Sequence, residues 1–267
     1  MAIVEDHGLV LRSQRYRETS RIATVLTPGF GKVSLIAKGA REQKSPFGAA
    51  LEPLTQGFFV FYLKKERSLH LLKAAAVEFE YVRALASPSS YYLCSAALEF
   101  AMKILPDEDP SPEAYDALEA FLVWRDRVAA SPGSTLASME EAGLKAFQLQ
   151  MVSLLGYAPQ LRHCTRCGAL DQSWAGFGVA EGGLVCRQCA AQGYLLPLSE
   201  GTRELLEALV TGAAPASEAS MRWTGETAQE LAGVVAAFLR YHVPGYQGLR
   251  ALRGWQQWQD LARRESA

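Results

Sequence analysis

Residues 32–38 read Lys32-Val33-Ser34-Leu35-Ile36-Ala37-Lys38, and this stretch decides the N-terminal fold. Val33, Leu35 and Ala37 fall on one side of an extended chain. Lys32, Ser34, Ile36 and Lys38 fall on the other, the period-two pattern of a half-buried strand. Upstream, Pro28-Gly29-Phe30-Gly31 is a turn, preceded by extended-type runs at residues 21–27 and 8–14. Downstream, residues 39–53 form a polar connection with two prolines. Residues 57–64 then hold Phe58, Phe59, Val60, Phe61 and Tyr62, which predicts a strand buried on both faces, and residues 69–77 supply a fifth. Five short strands with one long connection predict a small closed barrel of the OB type over residues 1–80.

Beyond Tyr81 the apolar period becomes helical. Ser87-Pro88 forms a helix start, and Tyr91, Cys94, Leu98, Ala101 and Leu105 make one predicted buried stripe. Further helices are expected after Ser111-Pro112, over residues 136–155, and near Ser199, Thr224 and Gln247, with an Ala-rich linker candidate at residues 211–220. The expected organisation is α+β and multidomain: a five-stranded OB-fold barrel, then a helical domain at 81–267 with a four-cysteine zinc-ribbon insertion at about 160–196.

The 267 residues are 49% hydrophobic and 21% charged, ordinary for a folded chain. The N-terminus MAIVEDHGLV carries acids where a signal peptide needs bases, so a cytoplasmic location is expected. The net charge of −1 hides an asymmetry: residues 10–44 hold eight Lys+Arg against two Asp+Glu, whereas residues 81–160 hold five against ten. A local excess of this kind is the electrostatic footprint of a polyanion-binding surface.

Cys164-Thr165-Arg166-Cys167 and Cys186-Arg187-Gln188-Cys189 are two CxxC knuckles with 18 residues between them. Two residues between cysteines let both sulfurs face one point, and four thiolates complete the closed tetrahedral shell of a structural zinc. A reducing compartment disfavours disulfides and strengthens this reading. The predicted cofactor is therefore one structural Zn2+ on Cys164, Cys167, Cys186 and Cys189. Cys94 lies on an apolar helical stripe and is expected to be core.

Arg12, Arg15, Arg17, Arg21, Lys32, Lys38, Arg41 and Lys44 are the candidate nucleic-acid contacts, with Tyr16, Phe30 and Phe47 as candidate stacking rings. Basic grooves with interleaved aromatics bind single strands through phosphates and base faces. The sequence holds no P-loop, GxSxG or HExxH, and its four histidines are scattered. No catalytic centre is expected.

Val10-Leu11-Arg12, Tyr16-Arg17-Glu18-Thr19-Ser20, Gly31-Lys32-Val33-Ser34, Ala37-Lys38-Gly39-Ala40-Arg41 and Leu51-Glu52-Pro53-Leu54 together resemble the N-terminal barrel of the RecO family of recombination mediators. The order of barrel, helical domain and cysteine insertion is similar too. The resemblance implies binding of single- and double-stranded DNA, strand annealing, and action with RecR to help RecA replace single-stranded-DNA-binding protein (SSB). It implies no enzymatic activity, no nucleotide and no membrane. Residues 248–253 resemble the family's C-terminal basic-apolar helix only loosely. There, Leu249, Leu252 and Trp255 can share a face beside Arg250 and Arg253, which makes Leu249, Arg250 and Arg253 the candidate SSB-tail contacts. An RNA-binding module and a protein-binding scaffold are the competing readings of the same composition.

Overall fold

The computed structural model describes residues 2–64, 66–85, 87–129, 137–170, 173–210 and 224–265. The linker candidate at 211–220 lies outside them. Contacts divide the chain into two compact units: residues 1–132 with 250–267, and residues 133–249. The boundary expected after residue 80 falls inside the first unit, which groups three helices with the barrel.

Five strands close that barrel: β1 (Ala2–Tyr16), β2 (Ser20–Thr27), β3 (Gly31–Ala37), β4 (Thr55–Leu63) and β5 (Leu69–Glu80), in the order β1-β2-β3-β5-β4. β1 is twice the predicted length because its two halves have different partners. Residues 2–9 pair with β4, residues 9–16 pair with β2, and a register shift between Val10 and Arg12 turns the strand between them. β3 and β5 pair in parallel and close the sheet on itself. Val33, Leu35 and Ala37 enter the core with Val10, Ala23, Val25, Phe59, Phe61 and Leu72.

β4 corrects one expectation. Only Phe59 and Phe61 are core residues, while Phe58, Val60 and Tyr62 are half-buried on the outer side. The strand is one wall of a barrel, so the pleat sends alternate residues outward. The connection 39–53 is less polar in effect than in composition. A 3-10 turn at Gly48–Leu51 brings Phe47, Ala50 and Leu51 onto the barrel core.

Helices α1 (Pro88–Ile104) and α2 (Pro112–Ala129) follow. The Ser87 hydroxyl accepts the Ser90 N–H and Pro88 occupies the first turn, as the sequence predicts. Their acidic connection docks on the barrel. The Glu108 N–H donates to the Lys32 carbonyl, Glu108 meets the buried His70 at 3.0 Å, and Asp107 meets Lys32 at 3.2 Å. Gly31, at φ +66°, lies directly beneath the Asp109 backbone, where a Cβ has no room. Cys94, Leu98 and Ala101 of α1 and Leu105 just after it are buried as expected, but Tyr91 is 48% exposed.

The second unit contains α3 (Ala137–Leu154), the hairpin β6 (Trp174–Gly178) and β7 (Gly183–Cys186), α4 (Glu200–Val210) and α5 (Gly225–His242). Thr224 caps α5 reciprocally with Thr227. His242 Nε2 lies 2.7 Å from the Val179 carbonyl, and Phe177 meets Phe238 edge-on, tying the hairpin to α5. The last helix, α6 (Arg250–Glu265), belongs to the first unit and lies along α1.

Candidate nucleic-acid interface and metal centre

On the barrel, Arg12, Arg15, Arg17, Lys38, Arg41 and Lys44 are all exposed. Arg17, at φ +52°, sits in the β1–β2 turn with its guanidinium 5.4 Å from the Tyr16 ring centre. Arg41 reaches across to the same turn, donating to the Glu18 carbonyl at 2.7 Å, so one cation both fixes the turn and leaves donors facing solvent. Arg21 is half-buried and paired with Glu52.

Two residues leave the candidate set. Lys32 is buried, with Nζ donating to the Met102 carbonyl at 2.7 Å and paired with Asp107. It anchors α1 to the barrel and cannot reach a phosphate. Phe47 is 7% exposed in the barrel core and cannot offer a face to a base. Phe30 is half-buried, packed against that core and edge-on to Phe61 at 5.5 Å. Of the three rings, Tyr16 is the one beside exposed cations.

Lys64 and Arg67 fall outside the 10–44 window, yet they stand beside Lys38. A groove of about 500 Å³ runs between Ile36 of β3, Lys38 just after it, the β4–β5 turn with Lys64, Glu66 and Arg67, and Leu69 and Leu71 of β5. The available signal was the run Lys64-Lys65-Glu66-Arg67, three cations in four residues. Its relevance depended on closure of the barrel, since the parallel β3–β5 pairing alone brings this turn beside Lys38.

In the second unit, the ligand atoms of Cys164, Cys167, Cys186 and Cys189 all lie within 4.8 Å of one another. Four sulfurs held about 2.3 Å from one tetrahedral ion stand about 3.8 Å apart, and the Cys167 and Cys186 sulfurs are 3.8 Å apart. The donor set and its span therefore fit a zinc-sized ion. Gly168, at φ +73°, turns the first knuckle and donates its N–H to the Cys164 carbonyl at 2.8 Å. The hairpin register pairs Trp174 with Cys186 and returns the second knuckle to the first. Arg166 braces the site by pairing with Glu181 and donating to the Cys189 carbonyl.

The thiols are electrostatically unequal. Burial pushes the Cys164 thiol up, but N–H groups of Cys186, Cys167 and Arg166 outweigh it and bring it down to about 6. Cys189 moves the other way, to about 12, because hydrogen bonding with Cys167 and Cys186 holds its proton. A cation held by the four sulfurs would replace that proton, so metal uptake would release protons here.

The candidate SSB-tail residues do not form one face. Leu249 is buried in the second unit, Trp255 is 9% exposed against Tyr92 of α1, and only Arg250 and Arg253 are exposed. Trp255 packs on α1, whereas Trp258 and Leu261 of α6 remain exposed. Among the described residues, no helix is long and apolar enough to cross a membrane.

A closed five-stranded barrel with exposed cations, followed by helices and a metal-competent four-cysteine ribbon, defines an α+β barrel-and-ribbon protein. The chain belongs to the Recombination protein O family: residues 1–79 match the N-terminal family model and residues 85–251 the C-terminal one. It is 33% identical over 261 residues to the DNA repair protein RecO of Streptomyces coelicolor, covering 95% of this chain and 98% of that protein. It is 35% identical over 244 residues to the RecO of Anaeromyxobacter dehalogenans (88% and 90%), and 33% over 256 residues to that of Thermobifida fusca (95% and 98%).

Proposed function

We propose that this chain is a non-catalytic recombination mediator. It binds single- and double-stranded DNA on the cationic outside of its barrel, anneals complementary strands and, with RecR, assists RecA loading onto SSB-coated DNA. The carrying observation is the grouping of Lys38 with Lys64 and Arg67 around one groove, with Arg12, Arg15, Arg17, Arg41 and Lys44 exposed on the same domain. Phosphates attract cations whatever the base, so binding is largely independent of sequence. Family membership supports the repair role, since the relatives are named DNA repair proteins.

The four cysteines hold one structural zinc, which when bound closes the ribbon and leaves no open coordination position for catalysis. The exposed Arg250 and Arg253 are the remaining candidate contacts for SSB's acidic tail. The expected location is the cytoplasm, at the nucleoid.

The test is annealing of complementary oligonucleotides by the purified chain, with and without an SSB coat, beside RNA strands of matched sequence. Annealing that persists on SSB-coated DNA and falls steeply with salt is the expected result. No annealing on naked DNA, or a preference for RNA, would refute the reading.

A further inference from the structure

The first unit contains a second, larger cleft of about 810 Å³ between the barrel and α1. Leu11, Leu54, Leu98 and Met102 line it with apolar surface. Arg12, Lys103 and Arg250 supply cations, Glu52 and Glu99 supply acids, and Tyr91 stands at its edge. Both acids already have partners: Glu52 is paired with Arg21, while Glu99 accepts the Arg250 and Ala251 N–H groups at 3.0 Å and meets Lys103 at 3.2 Å. Arg12 and Arg250 are exposed, and among the described residues neither faces a carboxylate within ion-pair distance. The cleft therefore has occupied anions and available guanidinium groups.

Tyr91 is presented rather than merely left over. Its ring is held edge-on by Tyr92 at 5.4 Å, Tyr92 contacts Trp255 at 5.8 Å, and Trp255 stacks on Trp258 at 5.1 Å with 8° between planes. This ladder exists because α6 approaches α1 closely at Gly254, where a Cβ would strike the Tyr92 ring. A ring braced from behind and 48% exposed offers a base a preorganised face.

We infer that this cleft carries a single strand of DNA onward from the barrel, with Tyr91 stacking on a base and Arg12 and Arg250 contacting phosphates. The inference rests on the proposed DNA-binding role of the barrel. Arg12 supplies the continuity, because it belongs to both the β1 cations and the cleft wall. A nucleic acid needs only cations and a ring face.

The experiment uses the full chain and thymidine oligomers of about 8 and about 24 nucleotides, within and above the roughly 4–16 nucleotides one OB-fold covers. Tyr91→Ala and Arg250→Ala should each leave the short oligomer's affinity unchanged and lower the long one's about five- to tenfold. Tyr91→Phe should restore it, and 5-iododeoxyuridine in the long strand should crosslink to Tyr91. Unchanged binding at both lengths, or equal loss at both, overturns the inference. So does a result in which a peptide of alternating Asp and Leu, rather than DNA, loses affinity on Tyr91→Ala. The double variant Lys38→Glu, Lys64→Glu separates this inference from the one beneath it: undiminished short-oligomer binding in that variant is failure of the barrel reading itself.

Discussion

Lys32 and Lys38 bracket one strand and have opposite fates. Lys32 is buried, with its ammonium on a helix carbonyl, while Lys38 is exposed at the groove. Lys32→Met removes the donor from the Met102 carbonyl and should cost about 1–2 kcal/mol in thermal or denaturant unfolding. It should leave the salt dependence of DNA binding as it was, and an altered salt slope would place Lys32 back at the interface. Lys38→Glu with Lys64→Glu should do the reverse, keeping the melting temperature and lowering the salt slope by about 0.7 for each phosphate that is no longer neutralised. Titration with oligothymidine at several salt concentrations checks both.

Among the elements, α6 and the ribbon each depend on a few polar groups. Glu99 of α1 accepts the first N–H groups of α6, which would otherwise lack partners. Burial pushes this carboxyl up, but those N–H groups and Lys103 outweigh it and hold it below its usual value. The depressed folded-state pKa fixes the sign: the stabilisation is complete above the unfolded-state value and is lost as pH falls through the folded one. Docking of α6 should therefore loosen in acid below about pH 4.5, seen as a shift in Trp255 and Trp258 fluorescence. Glu99→Gln should abolish that acid transition at a cost of about 1 kcal/mol, because the site is partly exposed and screened. An acid shift that survives Glu99→Gln would assign the transition to another group. In the ribbon, Cys167→Ser should reduce bound zinc from one per chain to a small fraction by metal analysis. Cys94→Ser, outside the cluster on α1, should leave it at one.

For the whole molecule, the division into two units has a consequence for function. The barrel cations belong to the unit of residues 1–132 and 250–267, and the four cysteines to that of residues 133–249. Removing the metal with a chelator should raise hydrogen exchange across residues 160–196 while leaving salt-dependent binding to single strands within about twofold. Parallel loss of both would show that the metal supports the DNA-binding surface.

Local features were legible in the amino-acid order alone. Alternation at 32–38 selects a strand, Ser87-Pro88 starts α1, and two CxxC knuckles specify a four-thiolate centre, because pleat, cap and ligand spacing act within a few residues. Which faces remain open was decided only when remote segments met. Phe47 has the same composition signal as a stacking ring, but the 3-10 turn after it carries it into the core. Tyr91 fits a buried stripe by spacing, yet it is exposed at the start of α1. Lys64 and Arg67 gain a role only when β3 pairs with β5. Burial and charge juxtaposition depend on contacts between segments far apart in sequence, and those are set by closure of the barrel and docking of α6.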